Sequence, residues 1–374
     1  MRLRSAALLL LIAPACAPST QLRGSTVLPR TRAERSTYTE TSTHADVVAF
    51  LDSLVRLDRP LHRGSVGTTS EGRHIPYIIA SRPLFDTPAE ARRSGRPIVY
   101  VQGNIHAGEV EGKEALQAVL RDLLTDPKPN ALDSIVLIAV PIYNGDGNEK
   151  LDHQAKNRGA QNGPEMVGQR PNGQGLDLNR DYMKADAPET RGSLEMFTRW
   201  DPHLFVDLHT TNGSYHGYNL TYAPSLNPAA ELVGATFGGA YARDSLLPEL
   251  QRRIKLRHNV STFPYGNFAQ DDGATSAPKG WLTYDHRPRF GTNYYALRGR
   301  VSILSEAYSH DPFETRVRAT YAFVKELLSL AAERGGALVA LAARSNATLA
   351  QWEACPRRLF PSERRCPRRR FKET

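Results

Sequence analysis

The sequence predicts an α/β protein: one domain with a central mixed, mainly parallel, twisted sheet flanked by helices on both faces. Three observations lead there. Short β-type runs alternate with helical patterns along most of the chain. The run Ile135-Val-Leu-Ile-Ala-Val140 is apolar throughout, as a strand buried on both faces requires. No internal repeat divides the pattern.

The elements follow in order. Residues 1–16 have a basic start, an apolar run from Ala6 to Ala13 and small residues before Cys16, the pattern of an export signal. That run is far short of the roughly 20 residues that cross a bilayer. The expected location is therefore outside the cytoplasm: periplasmic, extracellular or membrane-anchored as a lipoprotein. A lipid at Cys16 would be the only membrane attachment, and both lipidation and simple cleavage stay open there. Residues 17–41 are rich in Ser, Thr, Arg and Pro without an apolar period and read as a linker. The domain is expected over residues 42–330. Its first helix places Val47, Phe50, Leu51 and Leu54 on one face behind a capping residue. Strands are expected at Ile75 to Ala80, Ile98 to Val101, Ile135 to Val140, Leu204 to Leu208 and Val301 to Leu304. Helices are expected at Glu109 to Leu124, around Pro228 to Leu250, and at Pro312 to Leu330. Residues 331–374, an Ala-rich segment and a basic tail, are expected to be poorly ordered.

Composition narrows the function. The net charge of +9 suggests an anionic partner, but from Glu353 to Thr374 eight basic residues stand against three acidic ones, so more than half of the excess lies in the tail. The remainder is mildly basic, and a nucleic-acid partner is not expected. Beyond Cys16 only Cys355 and Cys366 are present, which excludes a disulfide framework.

Ligands in open α/β sheets sit beyond the carboxyl ends of the strands, so polar residues that directly follow apolar runs are the candidates. After Ile98-Val-Tyr-Val101 come His106 and Glu109, three residues apart across a strand-to-helix turn. After Leu204-Phe-Val come Asp207 and His209, and after Val301-Ser-Ile-Leu304 comes Glu306. Histidine nitrogen and glutamate oxygen suit zinc, whose catalytic sites take three protein ligands and leave a fourth position open. His106, Glu109 and His209 form such a set. The other histidines (His153, His203, His216, His286, His310) read as surface or supporting groups.

The order and context of these residues resemble the zinc carboxypeptidase family of metallocarboxypeptidases. The resemblance rests on His106-Ala-Gly-Glu109, Asn144-Gly-Asp146-Gly147, Asp177-Leu-Asn179-Arg180, Asp207-Leu-His209 and Leu304-Ser-Glu306, with Ser70-Glu71-Gly72-Arg73 upstream, and spans residues 42 to 330. It implies the carboxypeptidase fold and one Zn2+ per chain on His106, Glu109 and His209. It implies that Asp177 orients the first zinc histidine, that Asn179 and Arg180 hold a substrate's terminal carboxylate, and that Glu306 is the general base. For the arginine that steadies the oxyanion it points to Arg170, nine residues before Asn179, with Arg158 as the competitor. For a tyrosine that closes over substrate, Tyr284 and Tyr294 both qualify.

The implied activity is zinc-dependent hydrolysis of the C-terminal peptide bond of a peptide substrate. An amide deacylase of the desuccinylase and aspartoacylase type is the alternative on the same scaffold, and a non-catalytic binding module is a third reading. The long segment from Ser214 to Arg300 disfavours the deacylase, and Glu306 disfavours the binding module, which needs no base. One departure from the family pattern stands out: Ala107-Gly108 occupies the place where digestive-type enzymes carry a substrate-contacting arginine.

Overall fold

A computed structural model describes residues 28–230, 238–269 and 280–354. Strands β1 (Leu61–Thr68), β2 (His74–Ala80), β3 (Ile98–Gly103), β4 (Val136–Val140), β5 (Leu204–Thr210), β6 (Leu220–Pro224), β7 (Thr262–Pro264) and β8 (Val301–Ala307) form one sheet. Their spatial order is β1-β2-β4-β3-β5-β8-β6-β7. The four central strands, β4, β3, β5 and β8, run parallel. An antiparallel pair flanks them on one side, and β6 joins antiparallel to β8 on the other. The sheet is mixed and parallel at its centre, as the alternation of elements predicts.

The central strands are apolar on both sides because helices cover both. On β3, Val99 and Val101 point into one core with α2 (His44–Val55), α3 (Glu111–Thr125), α5 (Leu247–His258) and α7 (Phe313–Glu333). Ile98 and Tyr100 point the other way, into a second core with Phe197 and Trp200 of α4 (Pro188–Trp200) and Tyr295 of α6 (Gly291–Leu297). Each fully buried aliphatic side chain in these layers contributes roughly 2 kcal/mol.

Two expectations at the domain ends are corrected. Residues 28–41, read as a linker, pack on the domain. Thr31 caps the short helix α1 (Arg32–Arg35) through a reciprocal box with Glu34, Ala33 is buried, and Glu34 pairs with Arg121 at 2.7 Å. Thr41 and Ser42 both donate to the buried carboxylate of Glu114. This docking runs through polar groups, so it leaves no apolar period to read. Residues 331–354, expected to be poorly ordered, instead continue α7 to Glu333 and form helix α8 (Gly335–Ala354), whose Leu338 and Leu341 enter the first core. Alanine favours helix, and two leucines three residues apart suffice to anchor it.

The helix expected around Pro228 to Leu250 is recovered in part: from Gly238, the first described residue after 231–237, helical backbone runs through α5 to His258, where Asn259 turns left-handed and ends it. Strands β1, β6 and β7 and helices α4 and α6 were not anticipated. Among the described residues no helix is long and apolar enough to cross a membrane. The expected signal, Cys16, Cys355, Cys366 and the basic tail lie outside the described residues.

The segment Ser70-Glu71-Gly72-Arg73 makes the β1–β2 turn, with Gly72 at φ +87. Asp146, buried in the Asn144–Gly147 turn, accepts from Thr69 Oγ1, Ser70 Oγ, the Glu71 backbone N–H and Arg73. Two motifs distant in sequence are thus clamped together behind the end of β3.

Candidate functional site

The chemistry-bearing residues gather at the carboxyl ends of β3, β5 and β8. After β3 the chain turns through Asn104, in the left-handed region at φ 66, whose side-chain amide donates to the carbonyls of Ala107 and Glu109. This turn brings His106 and Glu109 to one side. On β5, Asp207 and His209 share the face of Phe205, and β8 aligns Glu306 directly beside His209.

His106, Glu109 and His209 are buried, and their ligand atoms lie within 4.8 Å of one another. His106 Nδ1 is 3.0 Å from Glu109 Oε1, and His209 Nδ1 is 2.9 Å from Glu109 Oε2. Each histidine meets an aspartate on its far side: His106 Nε2 is 3.1 Å from Asp177 Oδ1, and His209 Nε2 is 3.0 Å from Asp207 Oδ2. Arg170 Nη1 stands 3.1 Å from His106 Nδ1. Since a guanidinium only donates, His106 Nδ1 is the acceptor and its proton sits on Nε2, toward Asp177. Nδ1 and the Glu109 oxygen are then two acceptors face to face, an arrangement that a cation between them relieves. A set of two imidazole nitrogens and a carboxylate, each histidine backed by a carboxylate, fits zinc.

Charge sharpens the picture. Burial opposes ionisation of Glu109, yet the charges around it, Arg158 among them, hold its carboxyl well below the usual range. Burial likewise works against charged His209, but Asp207 and Glu109 hold the imidazole well above the ordinary value. Asp177 is kept low by His106 and the arginines around it in spite of burial. Burial pushes the Glu306 carboxyl up to about 8, and its Oε2 is shielded with no hydrogen-bond partner among the described residues.

A cavity of about 270 Å³ opens beside this cluster. His106, Glu109, His209, Glu306, Arg170, Asn179, Arg180 and Tyr284 all line it. Asn179 is fixed at both ends of its amide: Nδ2 is 3.4 Å from His209 Nε2, and Oδ1 accepts from the Gly291 N–H at 3.0 Å. The Arg180 guanidinium lies over the ring of Phe290, 4.2 Å from its centroid.

The two pairs of alternative candidates differ in where they sit. Arg170 lines the cavity and bonds Asp177 through Nε at 2.9 Å. Arg158 is spent on the protein: Nη1 donates to Glu109 Oε1 at 3.0 Å, Nη2 to the carbonyls of Thr210 and Thr211, and Nε to Gln161. Tyr284 faces the cavity, its hydroxyl donating to the Pro224 carbonyl at 2.9 Å. Tyr294, the other candidate substrate group, instead packs its half-buried ring against Tyr182 and Tyr295 beside the second core and lies outside the cavity wall.

Several lining residues escaped the sequence: Tyr265, Asn212, Asn267, Asp285, Arg289 and Phe290. They come from irregular segments with no periodic signal. Asp207 did carry one, since it precedes His209 by two residues on a strand and must share its face.

Comparison with known proteins agrees with this geometry. The family model described as zinc carboxypeptidase matches residues 47–286. Carboxypeptidase 2 of Trichophyton tonsurans is 30% identical over 145 residues, 38% of this chain and 23% of that protein, so the match spans about a quarter of the length of such curated relatives. Among solved structures, the metallo-carboxypeptidase of Burkholderia cenocepacia superposes with a TM-score of 0.53 at 17% identity, covering 77% of this chain and 69% of that one. The carboxypeptidase A of Helicoverpa armigera gives 0.51 at 16% identity over 84% and 75% of the two chains. These likenesses show a shared fold, and the model match over most of the described domain shows that the chain belongs to the zinc carboxypeptidase family.

Proposed function

We propose that this chain is an exported, zinc-dependent metallocarboxypeptidase that hydrolyses the C-terminal peptide bond of peptides. The observation that carries the reading is the placement of Glu306 and Arg180 in one cavity with the His106, Glu109 and His209 cluster: a base, an anion anchor and a metal site. The three clustered residues would hold the zinc ion. When bound there, zinc supplies Lewis acidity that polarises the scissile carbonyl and acidifies the attacking water.

The chain's own groups do the rest. Arg180, with its fork of donors, and Asn179 hold the terminal carboxylate of the substrate. That anchor sets which bond reaches the centre, and so makes the enzyme an exopeptidase. Glu306, a buried carboxyl without a partner at Oε2, takes the proton from the attacking water and returns it to the leaving amine. Arg170, tethered by Asp177, offers positive charge where the carbonyl oxygen becomes an anion. Tyr284 forms part of the cavity wall and would close over the substrate. Export is supported by the pattern of residues 1–16.

The test is the product pattern of zinc-loaded protein on a mixed peptide library, with Glu306→Gln as control. Loss of one C-terminal residue at a time, abolished at least 1000-fold in the variant, is expected. Internal cuts, or stoichiometric zinc without hydrolysis, would overturn the reading.

A further inference from the structure

We infer that the cavity selects substrates whose last residue carries an acidic side chain, and that Arg289 is the group that reads it. The inference deepens the peptidase reading and rests on it. Three arginines line the cavity: Arg170, Arg180 and Arg289. Arg170 is neutralised by Asp177 at 2.9 Å and by Glu109 at 3.6 Å. Arg180 has Asp177 no nearer than 4.0 Å, a carboxylate that Arg170 and His106 already hold. Asp285 is the lining carboxylate on the Arg289 side, 3.3 Å from Arg289 Nη2, but it is shared with Arg287, whose close ion pair keeps it ionised down to about 2. One carboxylate between two guanidiniums leaves a positive charge in excess there.

Arg180 and Arg289 moreover sit on the same ring. Their guanidinium carbons lie 4.2 and 5.1 Å from the centroid of Phe290. Two cations held against one ring repel, and burial together with Arg170 and Arg289 pushes the Arg180 guanidinium below its ordinary value. The Nε of Arg289 is shielded from solvent and has no hydrogen-bond partner among the described residues. A ligand with two carboxylates satisfies both cations at once: the terminal carboxylate on Arg180 and the side-chain carboxylate on Arg289. An apolar side chain would leave the excess positive charge beside Asp285 without a counter-ion. A basic one would have to displace Arg287 from Asp285 and then sit beside two like charges.

The experiment measures kcat/KM on a series of blocked peptides that differ only at the last residue (Glu, Asp, Leu, Phe, Lys), for zinc-loaded wild type, Arg289→Gln and Arg289→Lys. In parallel, calorimetry compares binding of N-acetylglutamate and N-acetylleucine to the same proteins. Wild type is expected to favour Glu or Asp over Leu at least tenfold. Arg289→Gln should reduce that ratio roughly 30-fold, as expected for loss of one charge-assisted hydrogen bond, and Arg289→Lys should retain part of it. Cleavage without an acidic preference, or a ratio unchanged in Arg289→Gln, would overturn the inference and leave the peptidase reading standing. N-acetylglutamate binding that depends on Arg289, with no cleavage of any peptide, would overturn the peptidase reading and keep the pocket assignment. Neither cleavage nor selective binding would overturn both.

Discussion

Asp207 and His209 leave the same face of β5, and the carboxylate of the first stands 3.0 Å from Nε2 of the second. Asp207 is fully buried, and the Gln102 side chain donates to its other oxygen at 3.4 Å. It is therefore a fixed group that orients the His209 ring with Nδ1 toward Glu109. Replacing Asp207 with Asn keeps the shape and removes the charge. Zinc affinity should fall about 10- to 100-fold, as for other carboxylates behind metal histidines. Chelator competition on the purified variant checks this, with circular dichroism to verify the fold; unchanged affinity would deny Asp207 the orienting role.

Gly108 carries a steric prediction. A Cβ there would stand 2.7 Å from Arg158 Cγ and 2.7 Å from the Gly168 carbonyl oxygen. The stem of Arg158, which reaches past Gly108 to Glu109, thus occupies the space that a side chain there would need. Gly108→Ala should cost about 1–3 kcal/mol of stability through overpacking and loosen the hold of Arg158 on Glu109. A lower midpoint of thermal unfolding together with weaker zinc binding is the expected result. A neutral substitution would show that the turn has room to give.

Arg316 and Glu111 form an ion pair in which both side chains are almost wholly buried. Arg316 also donates to the carbonyls of Asn162, Gly163 and Asp311, while Glu111 accepts from Thr210 Oγ1 beside the metal cluster. Arg316→Met strands a buried carboxylate and should cost about 3–5 kcal/mol. Adding Glu111→Gln should recover part of that loss. Urea denaturation of the single and double variants tests it: equal stability of the two would mean that Glu111 is not the stranded group.

His203 gives a pH dependence. Burial, with Arg300 nearby, pushes its imidazole from 6.5 down to about 4, and its Nδ1 accepts the Ile98 N–H at 3.0 Å. The unfolded chain therefore binds a proton more readily than the folded one between these values. Stability from this residue is complete above the unfolded pKa, near 6.5, and is lost as pH falls toward the folded value. Allowing for partial solvent screening, wild type should lose about 2 kcal/mol relative to His203→Gln between pH 6.5 and 4. Parallel denaturation curves at both pH values give the difference, and a pH-independent gap would refute it.

Much of the site was legible because its signals are local. His106 and Glu109 sit three residues apart in a turn, Asp207 and His209 two apart on a strand, and Glu306 follows an apolar run that ends at the sheet edge facing the cavity. The central strands were legible for the same reason, since burial on both faces leaves an unbroken apolar run. Strands β1 and β7 were not, because an edge strand presents residues to solvent and has no such run, and β6, though buried, reads Leu220-Thr-Tyr-Ala-Pro224 with polar and small residues between its apolar ones. The packing of residues 28–41 was hidden because it runs through ion pairs and carboxylate caps such as Glu34–Arg121, which leave no periodic trace.

By itself, then, the sequence determined the α/β alternation, the helix and strand runs of the core, and the set His106, Glu109, His209 and Glu306, because each depends on residues close together in the chain or at the ends of recognisable strands. Only the tertiary structure placed Arg170 and Tyr284 in the cavity wall, Arg158 and Tyr294 outside it, and Arg289 with Arg180 against the ring of Phe290. Those placements depend on which way a loop or a turn of α6 faces once it packs on the sheet. That orientation is set by contacts tens to hundreds of residues away, which no local spacing encodes.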